Sequence, residues 1–285
     1  MGSRRAQKTD KSMIQNLYWK RIFQSPKTKI GLIVVMIFAV AAVFAPVLAP
    51  HDPLLVDVTI KLKSPSAAYP LGTDQLGRCI LSRLLWGSRY SLSYSFTVLM
   101  ITVCVGVPIG LFAGYVGGKI DSVIMRIIDV FMAMPVFIVA LAIAGTMGAS
   151  GAHLILSLSV VSWAEYARLA RALTLQEKNK NYMTALKAGG CGHARIIFRH
   201  ILRNILPSVI ALATMEIGSI ILSIAGFSFI GLGVQAPEWG IMLSDSKSYI
   251  QTYPSLMFYP GILIMIIVLA FNYLGEGIQN GTAQK

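Results

Sequence analysis

Acidic side chains are scarce in this 285-residue sequence: 12 Asp and Glu stand against 25 Lys and Arg, and both signs together make up 13% of the chain. A soluble domain carries about a quarter charged residues, so too few charges are present to cover a water-exposed surface. Cysteine is nearly absent as well. Cys79, Cys104 and Cys191 are far apart and fit neither a disulfide framework nor zinc spacing, which leaves packing as their simplest role. The sequence also lacks a His-Glu-x-x-His, a Gly-x-Ser-x-Gly and a Gly-x-x-x-x-Gly-Lys-Ser/Thr phosphate loop, Gly118-Lys119 followed by Ile120 being the nearest to the last. These absences argue against an intramembrane enzyme and place any ATP hydrolysis on another chain.

Apolar residues are what the chain has in plenty: 55% of the sequence, with a mean hydropathy of +0.66. An uncharged run at 30–49 has the length of one bilayer crossing at about 1.5 Å per helical residue. Basic residues precede it, so a signal peptide competes with an uncleaved first helix; the length of the run and of its basic leader favours the helix. Further runs lie at 90–116, 130–164, 205–232 and 256–274. The stretch 130–164 is too long for one crossing, and Gly145-Thr-Met-Gly-Ala-Ser-Gly151 divides it. The first of its two helices begins near Ser122 and carries Arg126 and Asp129, three apart; the second ends among Glu165, Arg168 and Arg171. Each set is spaced to pair on its own helix. The reading is an all-α integral membrane protein of about six spans.

Charge position orients those spans. The leading arm holds Arg4, Arg5, Lys8, Lys11, Lys20, Arg21, Lys27 and Lys29, and the segment 168–203 holds Arg168, Arg171, Lys178, Lys180, Lys187, Arg195, Arg199 and Arg203. The positive-inside rule puts both, and hence both termini, in the cytoplasm. Segment 50–89, with five basic residues against three aspartates, is placed outside. The net charge of +13 is thereby absorbed by topology, which leaves no call for nucleic acid. The expected division is a cytoplasmic arm at 1–29, a first span at 30–49, an outer segment at 50–89, a five-span core at 90–279 and a cytoplasmic tail at 280–285. The core contains a polar loop at 173–204.

Within that loop, Ala185, Leu186 and Ala188 favour a helix, Gly189, Gly190 and Gly192 stop it, and Ile196, Ile197 and Phe198 restart an apolar face. A short helix, a sharp turn and a second helix are predicted. One reading is an exposed small-residue surface on which another protein packs; the other is a solvated basic loop. The glycine triplet favours docking.

Here the chain resembles the membrane permeases of binding-protein-dependent ABC importers, in particular the second permease of the dipeptide, oligopeptide and nickel group. Their cytoplasmic motif reads Glu-Ala-Ala, three residues, Gly, then a later His-x-Leu-Pro. Ala185, Gly190, His200 and Leu202 match it, while Thr184, Leu186 and Arg203 depart and Pro207 follows one turn later. Leu71-Gly-Thr-Asp-Gln-Leu-Gly-Arg78, with Ser82-Arg83 and Gly87-Ser-Arg89-Tyr-Ser-Leu92, is similar to the outer-loop signature, with Cys79 where an aspartate is usual. Ser228-Phe-Ile-Gly-Leu-Gly233, Glu238-Trp-Gly240, Tyr259-Pro-Gly261 and Phe271-Asn-Tyr-Leu-Gly275 resemble the distal pattern.

The resemblance implies a heterodimer with a second permease in the lipid bilayer, two cytoplasmic ATPases that bind ATP and Mg, and an extracytoplasmic solute-binding protein. No cofactor or metal is implied for this chain. ATPase coupling would fall to Ala185, Leu186, Gly190, His193, His200 and Leu202, with Gly190 either a hinge or close-contact point or simply a helix cap. Glu216, in the middle of the fifth run, either lines the path or makes a structural hydrogen bond. Pro108 and Pro135 either kink their spans or merely pack. Gly192-His193, Met257-Phe258 and the absence of glutamate before Ser228 lean towards nickel over peptides within the group. An ion-coupled secondary transporter is the alternative, and the lack of an evident inverted repeat counts against it.

Overall fold

The computed structural model describes residues 25–233 and 236–283, so the basic residues Arg4 to Arg21 and the last two of the tail lie outside the described residues. The chain is built of helices: α1 Pro26–Leu48, α2 Ile80–Val116, α3 Gly118–Ala133, α4 Val136–Met147 and α5 Gly151–Lys178. They are followed by α6 Asn181–Ala188, α7 His193–Leu232, α8 Trp239–Ser246 and α9 Ser255–Ala283. No β-strand occurs among the described residues. Four of these helices, α1, α2, α7 and α9, are long and apolar enough to cross a membrane, and α3 with α4 makes a fifth if the bent pair is one span. The remaining long helix, α5, is too polar to qualify by hydropathy, yet it buries Ser157, Ser159, Tyr166 and Thr174 against its neighbours, where lipid does not reach them.

Local sequence explains the ends. Pro26 opens α1, where a missing N–H costs nothing, and the extended Ala49 closes it before Pro50. Helix α2 starts at Ile80, earlier than the apolar run from 90 predicts, because its two arginines are provided for: Arg83 is ion-paired, and Arg89 stacks 5.5 Å from the ring of Trp86. The run expected from near Ser122 is not one straight helix. Pro135 has no N–H to give and pushes Met134 into an extended conformation (φ −103°, ψ 141°), so α3 and α4 meet at an 84° bend. Pro108, by contrast, stays inside a continuous α2. The predicted turn after α4 forms at Gly148, with φ +83°.

The central seam is α2 against α5. Gly106, Gly110 and Gly114 recur at four-residue spacing, and a Cβ on any of them would run into α5, at the carbonyl oxygens of Trp163, Ala167 and Arg171. Close approach of this kind replaces hydrophobic exclusion as the source of packing energy between helices in lipid. Buried Val98, Val107, Leu111, Leu158, Val161, Ile205, Ile217 and Phe227 extend the seam into a core shared by α2, α5 and α7. Helix α3 is held to α5 by a two-pronged ion pair, Arg171 Nε to Asp121 Oδ1 (3.0 Å) and Nη2 to Asp121 Oδ2 (2.6 Å), and by a second between Arg168 and Asp129. The second corrects the pairing expected within each helix: Asp129 reaches Arg168 across the interface because α3 crosses α5 there, and Arg126 and Glu165 are left out of it.

Candidate functional site

The polar segment 173–204 folds as a helix, a turn and a helix. Helix α6 ends by a Schellman closure, with the N–H of Cys191 donating to Leu186 O (3.0 Å) and that of Gly190 to Lys187 O (3.0 Å). The closure puts Gly190 at φ +72°, where a glycine is at home and other residues are strained, and a Cβ there would meet nothing within 4 Å. Within this chain Gly190 therefore serves as the helix cap.

One face of α6 is fastened inward. Met183 is buried, Leu186 and Cys191 are half-buried against the core, and Ile196 and Ile201 of α7 are fully buried beside them. The fastening centres on Glu177, which lies beyond the span in the polar segment and which the sequence reading overlooked. Its carboxylate accepts from Tyr182 Oη (2.6 Å), Asn204 Nδ2 (3.0 Å) and Lys180, joining the end of α5 to α6 and to the start of α7. Burial raises the affinity of this carboxyl for a proton, and the three donors outweigh it, leaving its pKa below the ordinary carboxylate value. Burial and the same hydrogen bond push the Tyr182 phenol up to about 12. Lys178 Nζ caps the end of α2 through the carbonyls of Gly114 (3.1 Å) and Tyr115 (2.7 Å), where the helix dipole is negative. Tyr115 Oη in turn shares a 2.6 Å hydrogen bond with His193 Nδ1.

The other face is open. Thr184, Ala185, Lys187, Ala188, Ala194, Arg195 and Arg199 are exposed, and Phe198 is 64% exposed beside them. Of the coupling residues expected from sequence, Ala185 and Gly190 lie on this surface, and His193 is exposed but tethered to Tyr115. Leu186 and Leu202 instead pack against the core, and His200 is half-buried in a π-helical stretch, Ile196–Ile201. The surface is thus small-residued, basic and stiffly backed.

At the far end of the bundle the separate sequence motifs converge on one assembly. Arg83 Nη1 and Arg78 Nε both donate to Asp74 Oδ2 (2.6 and 2.7 Å), and their other nitrogens reach Asp245 Oδ2 (2.9 and 2.7 Å). Beside this cluster, buried Glu238 caps α8 through Ile241 N–H (3.1 Å) and accepts from Ser91 Oγ (3.0 Å), while Trp239 Nε1 donates to Leu84 O (3.1 Å). The outer-loop signature and the Glu238-Trp-Gly240 motif are two halves of a lock between α2 and α8.

In the middle of the bundle the exposed surface changes character from side to side. Along α1 it is wholly apolar, with Ile33, Met36, Ile37, Val40 and Phe44 facing outward. Across α3, α5 and α7 it includes Asp129, Glu165, Arg168, Thr214 and Ser219. Asp129 and Arg168 pair with each other on this side. Glu216 sits here, half-buried, and makes neither a hydrogen bond nor an ion pair among the described residues. No three His, Cys, Asp or Glu side chains gather among the described residues.

Comparison with known proteins agrees with this architecture. Residues 106–285 match the family described as binding-protein-dependent transport system inner membrane component, and residues 13–65 match the N-terminal TM domain of oligopeptide transport permease C. The nickel transport system permease protein NikC of Escherichia coli strain K12 is 37% identical over 254 residues, covering 88% of this chain and 92% of that protein. The dipeptide transport system permease protein DppC of Haemophilus influenzae is 37% identical over 276 residues, covering 94% of each. A solved structure of the MetNI methionine ABC transporter in inward-facing conformations shares the fold, with a TM-score of 0.56, 18% identity and coverage of 71% of this chain and 98% of that one. The chain belongs to the binding-protein-dependent transport system inner membrane component family, as a multi-pass permease subunit of a bacterial ABC importer.

Proposed function

We propose that this permease forms, with a second permease, the translocation path for a nickel ion or its chelate, or for a short peptide, and that separate ATPase subunits drive it. The observation that carries the coupling is the α6 surface: a helix and turn with an exposed small-residue, basic face, fastened by Glu177, Lys178 and His193 to three membrane helices at once. A partner pressing on such a unit moves α2, α5 and α7 together, as a rigid lever requires. The basic residues around it support a cytoplasmic place for this end, where ATP is available. The opposite end, locked by Asp74, Arg83 and Asp245, then faces an extracytoplasmic binding protein.

Similarity to nickel and dipeptide permeases is equal at 37%, and the sequence details at Gly192-His193 and Met257-Phe258 favour nickel. Uptake into proteoliposomes by the full importer, supplied with its binding protein and ATP, tests the proposal with nickel, chelated nickel and short peptides in parallel. ATP-dependent uptake of one of them is expected. Uptake driven by an ion gradient without ATP would overturn the reading.

A further inference from the structure

Where α1 ends, the chain turns over a cleft of about 440 Å³, a volume in the range of small-ligand sites. Its walls include Pro46 of the last turn of α1, His51, Asp52 and Leu54 of the corner that follows, and Trp86 and Tyr90 of α2. The His51 ring is stacked on Tyr69 at 4.5 Å, and its backbone N–H donates to Ser82 Oγ (3.1 Å), so the corner is fastened from behind. Two opposite charges border the cleft without a partner. Asp52 is exposed; its Oδ1 accepts from the N–H of Leu54 (2.8 Å), and it makes no ion pair among the described residues. Arg89 is also exposed and unpaired among them, and lies 5.5 Å over the ring of Trp86, which stacks in turn on Tyr90 at 6.2 Å. Lys61 and Lys63, the other cations of the same outer segment, are not on the walls. A carboxylate and a guanidinium that do not meet, with two aromatic rings beside them, are the complement of a zwitterion. An ammonium suits the carboxylate and the ring faces, and a phosphate suits the guanidinium.

The surroundings say which zwitterion. Pro46 shares its helical turn with Val43, Phe44 and Val47, all outward-facing, Val47 at 81% exposure, and beyond the corner Leu54 and Leu55 are exposed as well. The small residues of α1, Gly31, Ala42 and Ala45, are buried instead, Gly31 against the backbone of Ala270 in α9. Helix contacts within a bilayer select small residues, so the large outward side chains at this end suit acyl chains better than another helix. Trp and Tyr also concentrate where hydrocarbon gives way to headgroups. We propose that the cleft holds the headgroup of a phospholipid bearing a primary ammonium, of the phosphatidylethanolamine type, with the ammonium at Asp52, Trp86 and Tyr90 and the phosphate at Arg89. Its acyl chains run along Val43 and Val47, and Leu54 and Leu55 dip into the leaflet beside them. The site is independent of which substrate the importer carries.

Native mass spectrometry of the full importer in detergent tests this, with dioleoylphosphatidylethanolamine, its N-acetylated form and dioleoylphosphatidylglycerol as probes. The ethanolamine lipid is expected to be retained at about tenfold lower concentration than the other two, which lack the ammonium. Asp52→Asn keeps the acceptor for Leu54 and is expected to abolish that preference; Arg89→Gln is expected to weaken all three lipids alike. Equal retention of the three lipids by the wild type, or a preference that survives Asp52→Asn, would overturn the site. Should Asp52→Asn fail to assemble, the comparison of the ethanolamine lipid with its N-acetylated form in the wild type carries the test alone. A second measurement decides the occupant: a bimane label on Leu55→Cys, with Cys104→Ser and Cys191→Ser, in the importer in nanodiscs. Quenching by brominated lipid, unchanged by addition of the solute-binding protein, is expected. Quenching by aqueous iodide alone, or shielding that begins only when the binding protein is added, would overturn the lipid as occupant and assign the surface to that protein.

Discussion

Replacing Glu177 by Gln isolates the joint that holds α6. The substitution keeps the shape and one acceptor oxygen but removes the charge to which Tyr182, Asn204 and Lys180 donate. Hydrogen bonds to a charged group contribute about 1.5–3 kcal/mol each. Lys180 is half-exposed and counts for little in water, so Tyr182 and Asn204 carry most of the effect. With one acceptor retained, the net loss is about 2 kcal/mol, which raises the local opening equilibrium of α6 about thirtyfold at 1.36 kcal/mol per decade. Hydrogen exchange of the detergent-solubilised protein reads this directly at the amides of Met183 to Ala188, with the amides of the α2 seam as an internal reference. Exchange within twofold of wild type at α6 would refute the assignment of Glu177 as its anchor. A thirtyfold rise in both α6 and the seam would refute the locality of the effect.

The same joint gives a pH dependence of defined sign. The Glu177 carboxyl titrates below its ordinary 4.5, so its contribution is complete above that pH and is lost as the pH falls through the lower folded value; the Tyr182 phenol, raised from 10.0 to about 12, contributes fully below 10.0 and loses that contribution on the way to 12. Protection of α6, corrected for intrinsic exchange, should be flat between these limits and fall on either side. Gly110→Ala drives a methyl into the carbonyl of Ala167, whereas Gly145→Ala meets nothing within 4 Å; overpacking of about 1–3 kcal/mol should lower the thermal midpoint of the first variant and leave the second near wild type. Gly190→Ala places a Cβ at φ +72° in open space, so a backbone cost of about 1–2 kcal/mol should loosen α6 in hydrogen exchange, and Gly190→Asn should loosen it less. Arg83→Met leaves Asp74 and Asp245 short of a counter-charge, and a loss of about 3–5 kcal/mol should show as a large drop in the thermal midpoint.

Hydropathy made α1, α2, α7 and α9 legible because lipid selects for long apolar runs regardless of what packs where. It failed on α3 with α4 because a run of apolar residues carries no sign of direction: Pro135 marks the break, but the size of the turn, 84°, is a property of the folded backbone. The helix and turn of α6 were readable from Gly189 and Gly190, since capping is local chemistry. Glu177 was not, because its partners Tyr182 and Asn204 come together only when α5 and α7 are side by side. The same reason hid the Asp129 and Arg168 pair behind two equally plausible pairings within single helices. Gly106, Gly110 and Gly114 were open to discovery, as their four-residue spacing is a sequence signal for close helix contact.

The lock at the far end also constrains how the protein is made. Arg83 meets Asp245 across 162 residues and Arg78 meets it across 167, so until residue 245 is made both arginines have only Asp74 of this cluster as counter-charge. Trp239, which fills the space above Gly87, has not yet emerged. That rim of the bundle is complete only once Trp239 and Asp245 are in place.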